Sequence, residues 1–144
     1  MKKLLYIFAI SCMLLTVSTS CDKRDCNGNL DGMWQLLELR DKDNVVLFNK
    51  DSMIFYSFQL DMASFNKQSG SQLFMRSSFE YTPQQIRIYA PLDYVGNKHD
   101  SIFPMSELAP VGVPADGIFH IESLSGSRMM LKTNQGAALS FRKY

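Results

Sequence analysis

The sequence predicts an all-β domain, a small antiparallel up-and-down barrel of about eight strands. Three observations carry this. Apolar and polar residues alternate over short stretches, which gives each stretch one core face and one wet face. Turn-forming residues punctuate the stretches about every eight to twelve positions. Beyond residue 20, no long segment repeats at the helical period.

The elements follow in order. "MWQLLELR" at 33–40 and "VVLF" at 45–48 flank the turn Asp41-Lys42-Asp43-Asn44. "SMIFYSFQLDM" at 52–62 reads as one half-buried strand, with Ile54, Tyr56, Phe58, Leu60 and Met62 on the apolar face. "NKQSGS" at 66–71 supplies turn residues. "QLFMRSSFEY" at 72–81 turns Leu73, Met75, Phe79 and Tyr81 to one side. Thr82-Pro83 breaks it, and "IRIYA" at 86–90 starts the next strand. "IFHIESL" at 118–124, "RMMLKT" at 128–133 and "ALSFRK" at 138–143 complete the set, separated by "SGS" and "NQG". Closing such a meander removes its exposed edges.

Residues 91–117 stand apart, with four of the chain's five prolines. A segment of that length is uncommon as a plain loop. It is expected to cross one end of the β-structure. "DSIFPMSEL" within it could form a short further strand or a helical turn.

The first 20 residues read as an export signal. Lys2 and Lys3 precede an apolar run from Leu4 to Val17, and small residues follow. The run is short for a bilayer span. "STSC" at 18–21 resembles a bacterial lipobox, although Ser18 stands where an aliphatic residue is usual. The resemblance implies that Cys21 becomes the lipid-attachment residue, carrying diacylglycerol on sulfur and an acyl chain such as palmitate on nitrogen. The alternative is a secreted protein with a Cys21–Cys26 disulfide. Domain limits follow: signal peptide 1–20, flexible tether 21–30, barrel 31–144. The expected location is the cell envelope, as an outer-membrane lipoprotein whose membrane partner is reached through Cys21.

Charge narrows the partners. Removing Lys2 and Lys3 from the 15 basic residues leaves one more acid than base. No basic patch points to nucleic acid. One domain of this size buries a core without a disulfide framework.

Gly32-Met33-Trp34 opens the first strand, and "IESLSGSRMMLKTNQGAALSFRKY" closes the chain. Glycine, any residue, then tryptophan at the head of a β-meander looks like the start of a lipocalin. The closing hairpin is similar to that of small lipocalin-like lipoproteins from gut-type Bacteroidetes. The resemblance implies that Trp34 plugs one barrel end and that Arg142, or else Lys143, lies over its ring. The chain is short for a lipocalin with a deep cup, so a barrel largely filled by side chains is expected. Phe58, Leu60, Met62, Phe79 and Met130 are its candidate occupants.

Chemistry is sparse. His120 and Glu122 share a strand face, and His99-Asp100 are adjacent, but either pair reads more simply as solvated surface. No nucleophile elbow, phosphate loop, zinc motif or dinucleotide fingerprint is present. An enzyme, a metal site and a cofactor are therefore not expected. The candidate ligand contacts are Tyr89, Tyr94, His99, Phe103 and Met105, aromatic and soft side chains near one barrel mouth. The expected function is a binding module for a small apolar ligand or a partner envelope protein. The alternative is a filled barrel without ligand, serving as a structural or inhibitory accessory.

Overall fold

The computed structural model describes residues 27–93 and 102–144. The described residues contain nine antiparallel strands: β1 (Gly32–Arg40), β2 (Val46–Asn49), β3 (Ile54–Gln59), β4 (Met62–Lys67), β5 (Leu73–Thr82), β6 (Gln85–Asp93), β7 (Ile118–Leu124), β8 (Arg128–Thr133) and β9 (Ala138–Lys143). Eight of them, β1 and β3 to β9, close into a barrel when β9 pairs back onto β1. The predicted closed all-β architecture is thus the observed one.

Strand β2 lies outside the ring. The first half of β1 pairs with β3, from Gly32 opposite Phe58 to Gln35 opposite Phe55. Its second half pairs with β2, where Glu38 faces Asn49. The 45–48 stretch is therefore a flap on the wall and not the second stave.

The stretch 52–62 is two strands, not one. A tight turn at Leu60-Asp61 separates β3 from β4, and Gln59 faces Met62 across it. Leu60 takes φ +57, a left-handed conformation that hairpin turns normally give to glycine, asparagine or aspartate. A leucine there carries no turn signal, so alternation read straight through it. Strand β4 then takes up part of the expected turn at 66–71.

This corrects the expected barrel filling. Phe58 and Phe79 are buried, but Leu60 and Met62 are exposed around the turn. Met130 is also exposed, and Met129 takes the inward place. A register shift between Ile121 and Ser123 on β7 lies opposite this pair.

Strand β6 runs past its predicted end by bulging. Ala90 takes φ +50, and Tyr89 pairs with Ser78 while Leu92 pairs with Arg76. The bulge lets Pro91 sit in a strand, since it need not donate to the ladder. Beyond it, Ile102 makes an isolated bridge to Leu92, and Met105–Val111 forms a short 3-10 helix. The described part of the proline-rich segment thus holds both a bridge and a helical turn. In the polar stretch before β1, Gly28–Leu30 makes one 3-10 turn and buries Leu30.

Register defines two ends. At one lie Gly32, the β3–β4 turn and Lys143, which faces Trp34. At the other lie Arg40, facing Ala138, and the β4–β5 connection between Lys67 and Leu73. We call these the closed end and the mouth.

Candidate functional site

At the closed end Trp34 is fully buried, and its indole Nε1 donates to the Leu30 carbonyl at 2.8 Å. Lys143 covers the ring, with Nζ 5.0 Å from its centroid, and also donates to the Asn29 carbonyl at 3.0 Å. Gly32 makes room for this. A Cβ there would stand 2.9 Å from Lys143 Cε, and φ is +118. The glycine two residues before the tryptophan therefore has a mechanical meaning: it lets the lysine stem lie across the strand. Arg142, expected over the ring, instead donates through Nε and Nη2 to Gln35 Oε1, at 3.0 and 2.8 Å. Successive strand residues point to opposite faces, so Lys143 and Arg142 cannot both reach the indole.

The barrel interior is occupied by rings. Tyr56 is fully buried at its centre, with ring centroids at 4.8 Å from Phe65, 4.9 Å from Phe141, 6.3 Å from Phe119 and 6.5 Å from Phe58. Phe58 in turn meets Phe79 at 5.2 Å. Burial pushes the Tyr56 hydroxyl well above its ordinary pKa. It stays protonated and donates to the Val111 carbonyl at 2.7 Å.

That bond ties the interior to the mouth. Leu108, Val111 and Val113 are buried from above, so the 3-10 helix sits in the mouth as a plug. The helix ends at Gly112, whose N–H donates to the Ala109 carbonyl. The chain then returns to β7 through Gly117. A Cβ on Gly117 would stand 2.1 Å from the Ile88 carbonyl oxygen, with φ +69, so this crossing accepts only glycine.

Beside the plug an open groove of about 890 Å3 runs along the rim. Leu73, Phe74, Met75 and Phe103 form its apolar part, and Asn66, Gln72 and Glu107 its polar part. Exposed Val45, Val46, Leu47 and Ile102 extend the apolar surface of the mouth. Of the predicted ligand contacts, Phe103 lines the groove. Met105 is half-buried against the core, close to Gly117. Tyr89 is partly exposed on the outside of β6, opposite Ser78, so it does not join the groove. Tyr94, His99 and the lipid-attachment residue Cys21 lie outside the described residues, as does Cys26. Residues 66 to 75 read in sequence as strand and turn, and nothing in their spacing marks them as a groove wall.

The histidine pair separates. His120 Nε2 bonds Asn134 Oδ1 at 2.7 Å, while Glu122 reaches Lys132 at 3.7 Å. Asn134 Nδ2 donates to Asp116 at 2.9 Å, and Gln135 and the Ile118 N–H donate to the same carboxylate. Partial burial would raise the Asp116 pKa, but these donors together hold it below its usual value. The network pins the β8–β9 turn to the chain entering β7. Among the described residues, no group of three or more His, Cys, Asp or Glu side chains is placed to hold a metal ion.

Comparison with known proteins agrees with this geometry. A crystal structure of a lipocalin-like protein from Bacteroides uniformis superposes with a TM-score of 0.58 at 26% identity, covering 81% of this chain and all of the other. An uncharacterized protein from Bacteroides eggerthii gives 0.57 at 25% identity, covering 80% and 99% of the two chains. An NMR structure of a protein from Burkholderia xenovorans gives 0.50 at 13% identity, covering 80% and 83%, and is similar in fold alone. No curated protein matches. The model of the lipocalin-like domain matches residues 13–144, and the chain belongs to that family.

Proposed function

We propose that this protein is a cell-envelope lipoprotein, anchored through Cys21, whose barrel is a binding module that engages a partner protein at its mouth. The observation that carries the reading is the filled interior. The ring cluster around Tyr56 occupies the space where a cup would hold a ligand, and the Val111 plug sits above it. Binding is then left to the surface. The mouth combines the rim groove with exposed Val45, Val46, Leu47 and Ile102, an apolar patch with a polar border of the kind that marks protein contacts.

A photo-crosslinking residue at Gln72, on the groove rim, tests this in cells that make the lipoprotein. A discrete adduct is expected from Gln72 and none from Gln84, at the closed end. Equal labelling from both positions would overturn the assignment of the mouth. Intact mass of the membrane-extracted protein tests the anchor, and an unmodified Cys21 would remove it.

A second reading rests on the groove itself. Leu73, Phe74, Met75 and Phe103 could hold one small apolar ligand at the rim. Saturable, one-to-one binding of an apolar fluorescent probe, abolished by Phe103→Asp, would favour this ligand over a partner protein.

A further inference from the structure

We propose that the closed end of the barrel rests on the lipid bilayer, with the β3–β4 turn, Leu60 to Met62, as its point of contact. This rests on the anchoring of Cys21 proposed above.

Three observations meet at this turn. The first is reach. Cys21 and Asn27 are six residues apart, and that length of chain spans at most about 20 Å. Asn27 belongs to the closed end and is bonded to the turn itself, its Nδ2 donating to the Leu60 carbonyl at 2.9 Å. It is held from the other side by Asp31, which accepts from Asn27 Nδ2 at 2.7 Å. The point where the anchored segment joins the barrel is therefore fixed beside Leu60.

The second is exposure. Leu60 is 50% exposed and Met62 43%, side by side at the tip of a hairpin. Both were expected in the core because they continue the alternation of β3. They are apolar without being buried in the fold.

The third is conformation. Leu60 holds φ +57, where a branched aliphatic side chain is seldom found. Glycine or asparagine would satisfy the turn better. A residue kept against local preference, and facing solvent, points to a use outside folding. An apolar tip dipping to headgroup depth supplies one. Asp61 lies between Leu60 and Met62 in sequence and lines the same small hollow as both.

The occupant is lipid because the anchor holds this face at a bilayer whatever else the protein binds. It also turns the mouth away from the membrane, toward a partner.

The test uses the full lipidated chain carrying Cys26→Ser. A single new cysteine is placed by Leu60→Cys, by Met62→Cys, or by Leu47→Cys at the mouth, and labelled with an environment-sensitive dye. Each is reconstituted into vesicles of phosphatidylethanolamine and phosphatidylglycerol, with and without chain-brominated lipid. The labels at 60 and 62 are expected to shift to the blue and to be quenched by brominated lipid, and the label at 47 to do neither. Unquenched labels at 60 and 62, on protein whose mass shows the acylated Cys21, would overturn the contact and leave the anchor standing. A blue shift without lipid quenching would also overturn it, and would assign the turn to a second protein surface. A mass without acyl groups would remove the anchor, and the contact with it.

Discussion

The hydroxyl of Tyr56 donates a 2.7 Å hydrogen bond to the Val111 carbonyl, joining the centre of the barrel wall to the plug across 55 residues of sequence. One buried bond thus couples the ring cluster to the segment that shuts the mouth. Tyr56→Phe keeps the ring and removes the donor, leaving a buried carbonyl without that partner. The expected cost is about 1–3 kcal/mol. Urea denaturation reads the cost. Hydrogen exchange should show the 105–113 amides opening faster than those of β1 and β9. Uniform acceleration over the whole barrel would mean that the plug is not a separate unit.

The closed end depends on volume and on a cation. Trp34→Ala is expected to cost about 3–5 kcal/mol, because a fully buried indole leaves a cavity. Lys143→Met keeps much of the stem and loses the charge, at about 0.5–2 kcal/mol depending on desolvation. Arg142→Met should leave tryptophan emission unchanged, since Arg142 reaches Gln35 and not the ring. Emission spectra of the three variants separate the roles, and an Arg142→Met spectrum shifted like that of Lys143→Met would contradict the assignment.

Ser77 is buried, and its hydroxyl has no hydrogen-bond partner among the described residues. It sits on β5 in the gap that the Ala90 bulge leaves in the β5–β6 register. Ser77→Ala removes an unpaired polar group and is expected to stabilise by about 1 kcal/mol. A thermal melt checks the sign, and a clear fall in Tm would reveal a partner for the hydroxyl.

Leu60 offers a second stabilising change. Leu60→Asn suits the left-handed turn and is expected to gain about 1 kcal/mol by relieving the conformation. If the turn contacts lipid, the same variant should lose contact while gaining stability, a split that a purely structural role does not produce.

Acid should loosen the mouth. The hydrogen bonds of Asn134, Gln135 and the Ile118 N–H favour the charged form of Asp116 against the opposing effect of burial. A carboxyl whose folded pKa is depressed stabilises the fold above its unfolded pKa. That contribution is lost as pH falls through the lower, folded value. Stability measured from pH 6 downward should therefore decline below the ordinary carboxylate range. Asp116→Asn should flatten part of that decline. The size is modest, because the group is largely solvated.

Much of the architecture was legible in the chain. Period-two alternation marked the walls of the barrel at Trp34 and Leu36, at Ile54, Tyr56 and Phe58, and at Leu139 and Phe141, because burying one face of a strand is a local pattern. Gly32 and Trp34 marked the closed end only through their resemblance to the start of a lipocalin, and the reason for the glycine, room for the Lys143 stem, came from the structure. Leu60 was misleading. Ring packing across β3 and β4, Tyr56 against Phe65, holds the register even with an unfavourable residue in the turn, so the turn's position is invisible to local preference.

Which residues meet was decided by closure. Register and the alternation of faces along β9 determine that Lys143, not Arg142, faces the indole. Register shifts send Met129 inward and Met130 outward, and only the folded ring brings Val111 down onto Tyr56. The rim groove exists because β4, β5 and the segment at Phe103 and Glu107 converge from distant parts of the sequence. Alternation fixes how a strand is oriented, whereas contacts between strands are set by pairing over long separations, which the chain reveals only once it has closed.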